Sequence, residues 1–128
     1  MSIQDNKIGI IGLGYVGLPL AVEFGRKFKT VGFDINETRV QELNNGVDNT
    51  LEISREYLTE TLNNNLFSVT SDKSKISDCT FYIITVPTPI DKNNRPVLTP
   101  LINASETVAS VLKKGDWYLI PIAFFCIA

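Results

Sequence analysis

Apolar residues fall into short β-branched runs separated by longer stretches where they recur every three or four positions. Lys7-Ile8-Gly9-Ile10-Ile11 reads as a short buried strand, and Gly12 to Gly17 as a turn. From Val16 onward the series Val16, Leu20, Phe24, Phe28 predicts one face of a helix, with Pro19 near its first turn. Thr30-Val31-Gly32-Phe33-Asp34 reads as a second strand. Asn36 is a candidate N-cap for a helix with Val40 and Leu43 on its inner face and Gly46 at C′. Ser54 would cap a third helix that turns Tyr57, Leu58, Thr61 and Leu62 inward, and Asn63-Asn64-Asn65 breaks it.

Leu66 to Thr70 alternates in the manner of a strand. Cys79 to Val86 is β-branched and aromatic without a charge, which predicts a central strand buried on both faces. Pro87-Thr88-Pro89 stops it, and Asp91 to Pro96 is a polar loop. Thr99-Pro100 reads as an N-cap followed by proline at the first helical position. The stripe Leu101, Ala104, Val108, Val111, Leu112 is its core face, and Lys113-Lys114-Gly115 its end, with Gly115 at C′. Trp117 to Ile120 could begin one more strand. Strands alternating with helices, without an internal repeat, predict a parallel sheet. The expected fold is an α/β, Rossmann-type, doubly wound parallel sheet, incomplete at about five strands, in the order third, second, first, fourth, fifth.

Composition narrows the possibilities. The 128 residues suit one domain, and 44% apolar with 20% charged residues is ordinary for a globular protein. A net charge of −2 gives no pull toward nucleic acid or anionic lipid. The amino terminus lacks a signal peptide's basic and apolar regions, so a cytoplasmic setting is expected. The most apolar stretch, Trp117 to Ala128, falls short of the ~20 residues that span a bilayer, so no membrane partner is expected. There is no histidine and no CxxC, and the expected metal set is none. Cys79 and Cys126 read as small buried hydrophobes.

The chemistry lies in Gly12-Leu13-Gly14-Tyr15-Val16-Gly17, a GxGxxG that follows a predicted strand and opens a predicted helix. Gly12 permits a tight turn, Gly14 lets a pyrophosphate approach the backbone, and Gly17 lets the helix pack close to the sheet. The helix N-terminus offers N–H groups to phosphate. Asp34, at the end of the second strand, can accept from adenosine ribose hydroxyls and would repel a 2′-phosphate, which favours NAD over NADP. Arg39 is within reach of the adenosine or a phosphate, and is equally readable as a solvated helix residue. Val86-Pro87-Thr88 sits at the carboxyl end of the fourth strand, where ligands of doubly wound sheets bind, and Thr88 is placed to serve the nicotinamide ribose or to be a loop threonine without a ligand.

The run Lys7 to Ala21 resembles the opening of the UDP-glucose/GDP-mannose dehydrogenase family. The similarity continues through Gly32-Phe33-Asp34-Ile35-Asn36, Glu42-Leu43-Asn44-Asn45-Gly46 and Val86-Pro87-Thr88-Pro89. Asn45 to Ile53 is most similar to the bacterial branch acting on UDP-N-acetylhexosamines for capsule, Vi-type and O-antigen polysaccharides. The resemblance implies NAD as cofactor, with Tyr15, Val16, Asp34, Arg39 and Thr88 at cofactor-contacting positions. It implies oxidation of a sugar C6 alcohol to a carboxylate through a catalytic cysteine, with UDP-sugar as substrate of the full-length enzyme, which is expected to be a homo-oligomer. The likeness ends near Asp116, which divides the chain into a 1–116 NAD-binding half-domain and a 117–128 divergent apolar tail, read as a truncation, a frameshift or a genuine fifth strand. No catalytic residue is expected in this chain, Cys126 included, and alone it should lack turnover. A non-catalytic NAD-binding module is the alternative. A different Rossmann dehydrogenase or reductase is argued against by the Val86-Pro87-Thr88-Pro89 loop.

Overall fold

Five short apolar runs form the strands of one parallel sheet in this computed structural model, which describes residues 6–120. They are β1 (Ile8–Ile11), β2 (Thr30–Phe33), β3 (Phe67–Thr70), β4 (Phe81–Ile84) and β5 (Trp117–Leu119), in the order β3-β2-β1-β4-β5. The helices are α1 (Gly17–Gly25), α2 (Glu37–Asn44), α3 (Arg55–Leu62) and α4 (Thr99–Val111). Register is continuous across the centre, with Ile10 opposite Gly32 on one side and Ile83 on the other. The α/β doubly wound expectation and its strand order are therefore met.

Because alternate residues of a strand face opposite ways, each central strand feeds two cores. Ile10 and Ile83 pack with Leu18, Ala21 and Val22 of α1, Leu43 of α2 and Leu58 of α3. Ile11, Tyr82 and Ile84 pack with Ala104 and Val108 of α4 on the opposite face. Moving outward from β1 in the two directions places the crossovers on opposite faces, and the chain segments leaving the paired carboxyl ends of β1 and β4 border a cleft.

Local signals set several boundaries as expected. The Asn36 side chain accepts from Arg39 N at 3.2 Å and that of Ser54 from Tyr57 N at 3.3 Å, capping α2 and α3. Gly46 takes φ +78°, and Gly46 N to Leu43 O with Val47 N to Glu42 O, both 2.9 Å, makes a Schellman close to α2.

Four expectations need correction. The buried face of α1 is Leu18, Ala21, Val22 and Gly25, whereas Val16 is exposed and Leu20, Phe24 and Phe28 are half-buried. The segment is apolar nearly all round, so close approach to the sheet selects the small residues: a Cβ on Gly25 would stand 2.7 Å from Phe67. The fourth strand is four residues rather than Cys79 to Val86, because Cys79 N donates to Ile76 O at 3.0 Å and ends a 3₁₀ turn, Lys73–Ile76, that the sequence reading did not include. Thr99 is already helical rather than the N-cap, and makes no capping bond; Leu98 holds that position. Gly115, at φ +93°, lies in a turn beyond the C-cap Leu112 and not at C′.

Of the apolar tail, Trp117–Leu119 pairs with β4, Phe81 opposite Trp117; residues 121–128, with Cys126, lie outside the described residues. Trp117, Tyr118 and Leu119 are 70%, 60% and 49% exposed, and among the described residues no strand covers their outer edge. Such an edge is an association hazard. The chain is expected to self-associate, with a concentration-dependent mass above 14.2 kDa in light scattering, and a monomer at all concentrations would contradict this.

Candidate functional site

The turn after β1 is held by backbone and threonine contacts. Gly12, at φ +100°, donates to Phe33 O at 2.8 Å, and its own carbonyl accepts from Thr85 Oγ1 at 2.8 Å. A Cβ there would stand 2.9 Å from Val86, so both the conformation and the space require glycine. At Gly14 a Cβ would meet nothing within 4 Å, so the loop is open to a ligand at that point. Gly17 is the reverse case, packed so tightly on the Gly12 carbonyl and Thr85 that a Cβ would overlap both. The first bond of α1 runs from Leu18 N to Gly14 O at 3.1 Å, so the helix does not consume the N–H groups before it. These are the donors a phosphate would use.

Asp34 follows β2 and closes the turn from the side. Its Oδ2 accepts from Leu13 N at 2.9 Å and its Oδ1 from Asn36 N at 2.9 Å. Each oxygen keeps a further lone pair for a ligand hydroxyl. Arg39 is not a solvated helix residue: its side chain is 11% exposed, its Nε donates to Leu13 O at 2.9 Å, and its Nη2 pairs with Asp48 Oδ1 at 2.9 Å.

Asp48 is fully buried. Burial by itself would raise its carboxyl, but the Thr50 hydroxyl, the Ile53 and Thr50 N–H groups and Arg39 outweigh that and hold it down at about 2. A folded-state value below the ordinary 3.8 means stability that is present above that pH and lost as pH falls toward 2. The loss through this group is expected to be about 2 kcal/mol. Urea denaturation from pH 6 down to about pH 2 should show wild type and Asp48→Asn converging by that amount.

The cleft has a volume of about 620 Å³ and runs past Gly12, Leu13, Gly14, Asp34, Arg39, Val86 and Pro87. Of the sequence-identified site residues, Gly12, Gly14, Asp34, Arg39, Val86 and Pro87 line it. Tyr15 and Val16 are exposed beside it, Gly17 lies beneath it, and Thr88 is buried without lining it. Sequence reading missed Thr85, Asp48 and Thr50, and also Asn103 and Thr107, which line the wall from α4. A threonine ending an otherwise apolar strand was the available signal for Thr85. Asp48 and Thr50 bond each other two residues apart, but nothing in the sequence marks Arg39, on the preceding helix, as their partner.

A larger cavity, about 950 Å³, is walled by Ile8, Phe24, Phe28, Phe81, Ile83 and Trp117. It sits at the amino ends of β1, β4 and β5, the wrong end of the sheet for a ligand, and its wall is mostly apolar. The only described cysteine, Cys79, is fully buried, and burial pushes its thiol up to about 12, which makes it inert as a nucleophile.

The profile of the UDP-glucose/GDP-mannose dehydrogenase family, NAD binding domain, matches residues 6–120. A UDP-N-acetyl-D-glucosamine 6-dehydrogenase of Salmonella typhi is 58% identical over 115 residues, which are 90% of this chain and 26% of that protein. A protein of the same name from Pseudomonas aeruginosa is 51% identical over 114 residues, 89% of this chain and 26% of that protein. Among solved structures, UDP-D-ManNAc dehydrogenase from Pyrococcus horikoshii superposes with a TM-score of 0.84 at 33% identity, covering 89% of this chain and 28% of that one. The chain thus spans about a quarter of the length of the relatives it matches.

Proposed function

The chain belongs to the UDP-glucose/GDP-mannose dehydrogenase family, as its NAD-binding domain, and from that premise we propose that it is the amino-terminal part of an enzyme that oxidises the C6 alcohol of a UDP-N-acetylhexosamine to the uronic acid for polysaccharide biosynthesis. One observation carries the reading. The cleft joins an open backbone at Gly14, the start of α1 and the carboxylate of Asp34, the three parts an adenosine diphosphate moiety needs.

When bound, NAD supplies the hydride acceptor. Gly14 and the N–H groups before Leu18 would hold its pyrophosphate, and Asp34 the adenosine ribose diol. Val86 and Pro87 would border the path toward the nicotinamide, with Thr88 behind them. Tyr15 would cover the loop from outside, and Arg39 would fix the loop from within. Turnover is assigned to the full-length enzyme, whose sugar-binding domain and catalytic cysteine the family resemblance implies; Cys79 has no part in it. A UDP-sugar is the substrate of that enzyme, which we place in the cytoplasm as a homo-oligomer. No helix of the described residues is long and apolar enough to cross a membrane.

Calorimetric titration tests the cofactor reading. NAD should bind saturably, and NADP at least about tenfold more weakly, since a 2′-phosphate beside Asp34 meets like-charge repulsion well above 1.4 kcal/mol. Equal affinity would remove Asp34 from the ribose site. No binding of either by a folded chain would overturn the reading.

A further inference from the structure

We propose that Asp48 is a positioning residue of the cofactor cleft, acting through Arg39 on the peptide that joins Leu13 to Gly14; this rests on the reading of the cleft as the NAD site. Leu13 stands between two glycines, so the peptide planes on either side of it rotate with little steric resistance. Both planes are gripped. Asp34 Oδ2 takes the Leu13 N–H, on the plane shared with Gly12, and Arg39 Nε donates to the Leu13 carbonyl, on the plane shared with Gly14. In a trans peptide the C=O and the following N–H point in opposite directions. Fixing the Leu13 carbonyl on Arg39 therefore aims the Gly14 N–H, at the open point of the loop, away from Arg39.

Arg39 does not hold that orientation by itself. Its Nη1 is buried without a hydrogen-bond partner among the described residues, so the guanidinium is set by Nε on Leu13 and Nη2 on Asp48 and Thr50, at 2.9 and 3.4 Å. Asp48 is in turn rigid. Its Oδ1 accepts from Thr50 N at 3.0 Å and Thr50 Oγ1 at 2.6 Å, and its Oδ2 from Glu52 N at 2.8 Å and Ile53 N at 3.0 Å. The segment after α2 is thus tied to the glycine loop by a buried ionic link.

The link has a competing effect of opposite sign. Asp48 neutralises Arg39, so removing its charge would by electrostatics alone tighten binding of the anionic dinucleotide. The two roles separate in one experiment. NAD is titrated calorimetrically into wild type, Asp48→Asn, Arg39→Lys and the double variant of this chain, with folding of each checked by circular dichroism. The Gly14 amide resonance is recorded before NAD is added. Positioning predicts about tenfold weaker NAD binding in Asp48→Asn, a shifted Gly14 amide, and no further loss when it is added to Arg39→Lys, since lysine keeps the charge but not the fork. Unchanged or tighter binding in a folded Asp48→Asn, or losses that add in the double variant, would overturn the proposal. Should Asp48→Asn not fold, Arg39→Lys carries the test, because it leaves the four loop bonds of Asp48 in place, and an unmoved Gly14 amide there overturns it. Wild type that binds no NAD overturns the cofactor reading and this proposal with it, and is seen before any variant is compared.

Discussion

Gly17→Ala is expected to abolish measurable NAD binding and to cost the fold about 3 kcal/mol, lowering Tm by roughly 10 °C. The new methyl would overlap the Gly12 carbonyl oxygen and Thr85 Oγ1, and would stand 2.8 Å from the Gly12 carbonyl carbon. Two of these are backbone atoms of the turn, so no side-chain rotation relieves the clash. Either α1 lifts from the sheet or the turn moves, and if the turn moves the Thr85-to-Gly12 bond of 2.8 Å is lost. Lifting α1 also strips Leu18, Ala21 and Val22 from the core they fill.

Gly14→Ala is the control: it adds the same methyl and spares the fold. Its methyl enters open space, so the variant should melt close to wild type. It nevertheless occupies the path of the pyrophosphate and should weaken NAD at least about tenfold. Thermal melts and NAD titrations of the pair check this. A Gly17→Ala protein that melts and binds as wild type does would mean that the helix need not pack this close.

The pair also shows what was legible in the sequence. The glycine pattern states a backbone need at each position, and the structure meets the three needs separately: a left-handed turn at Gly12, open access at Gly14, contact at Gly17. Asp34 was legible because the strand before it ends at a fixed place relative to the loop. Caps at Asn36 and Ser54 were legible because they act within four residues.

What escaped is non-local or degenerate. Gly-Leu-Pro-Leu-Ala-Val-Glu-Phe-Gly offers apolar residues on several faces, and only the sheet decides that Ala21 and Gly25 turn inward. Arg39 gave no sign that it would be buried, because its partners are the Leu13 carbonyl and Asp48, one behind it in the chain and one ahead. The strand expected over Cys79 to Val86 kept its two-faced burial and lost its ends, the first to the turn bond between Cys79 N and Ile76 O and the second where its partner β1 stops at Ile11.

Asp34→Ala is expected to weaken NAD binding by about 100-fold and to narrow the preference over NADP to near unity. Two separate losses add. The part-buried Leu13 N–H and the exposed Asn36 N–H lose the oxygens they donate to at 2.9 Å; both bonds are present without ligand, so their loss lowers affinity by loosening the loop that NAD needs ordered. The ribose diol loses its charged acceptor, a bond of about 1.5–3 kcal/mol. NADP suffers the first loss but escapes the repulsion between Asp34 and its 2′-phosphate, so its affinity falls less or rises. Asp34→Asn separates the contributions: it keeps a carbonyl oxygen for Leu13 N–H and removes the charge, so it should restore most of the loop's order while leaving the NAD-to-NADP ratio narrowed. The readout is that ratio, measured calorimetrically for wild type and both variants. A ratio unchanged in Asp34→Asn, with NAD affinity reduced, would confine Asp34 to holding the loop and require another residue to choose between the cofactors.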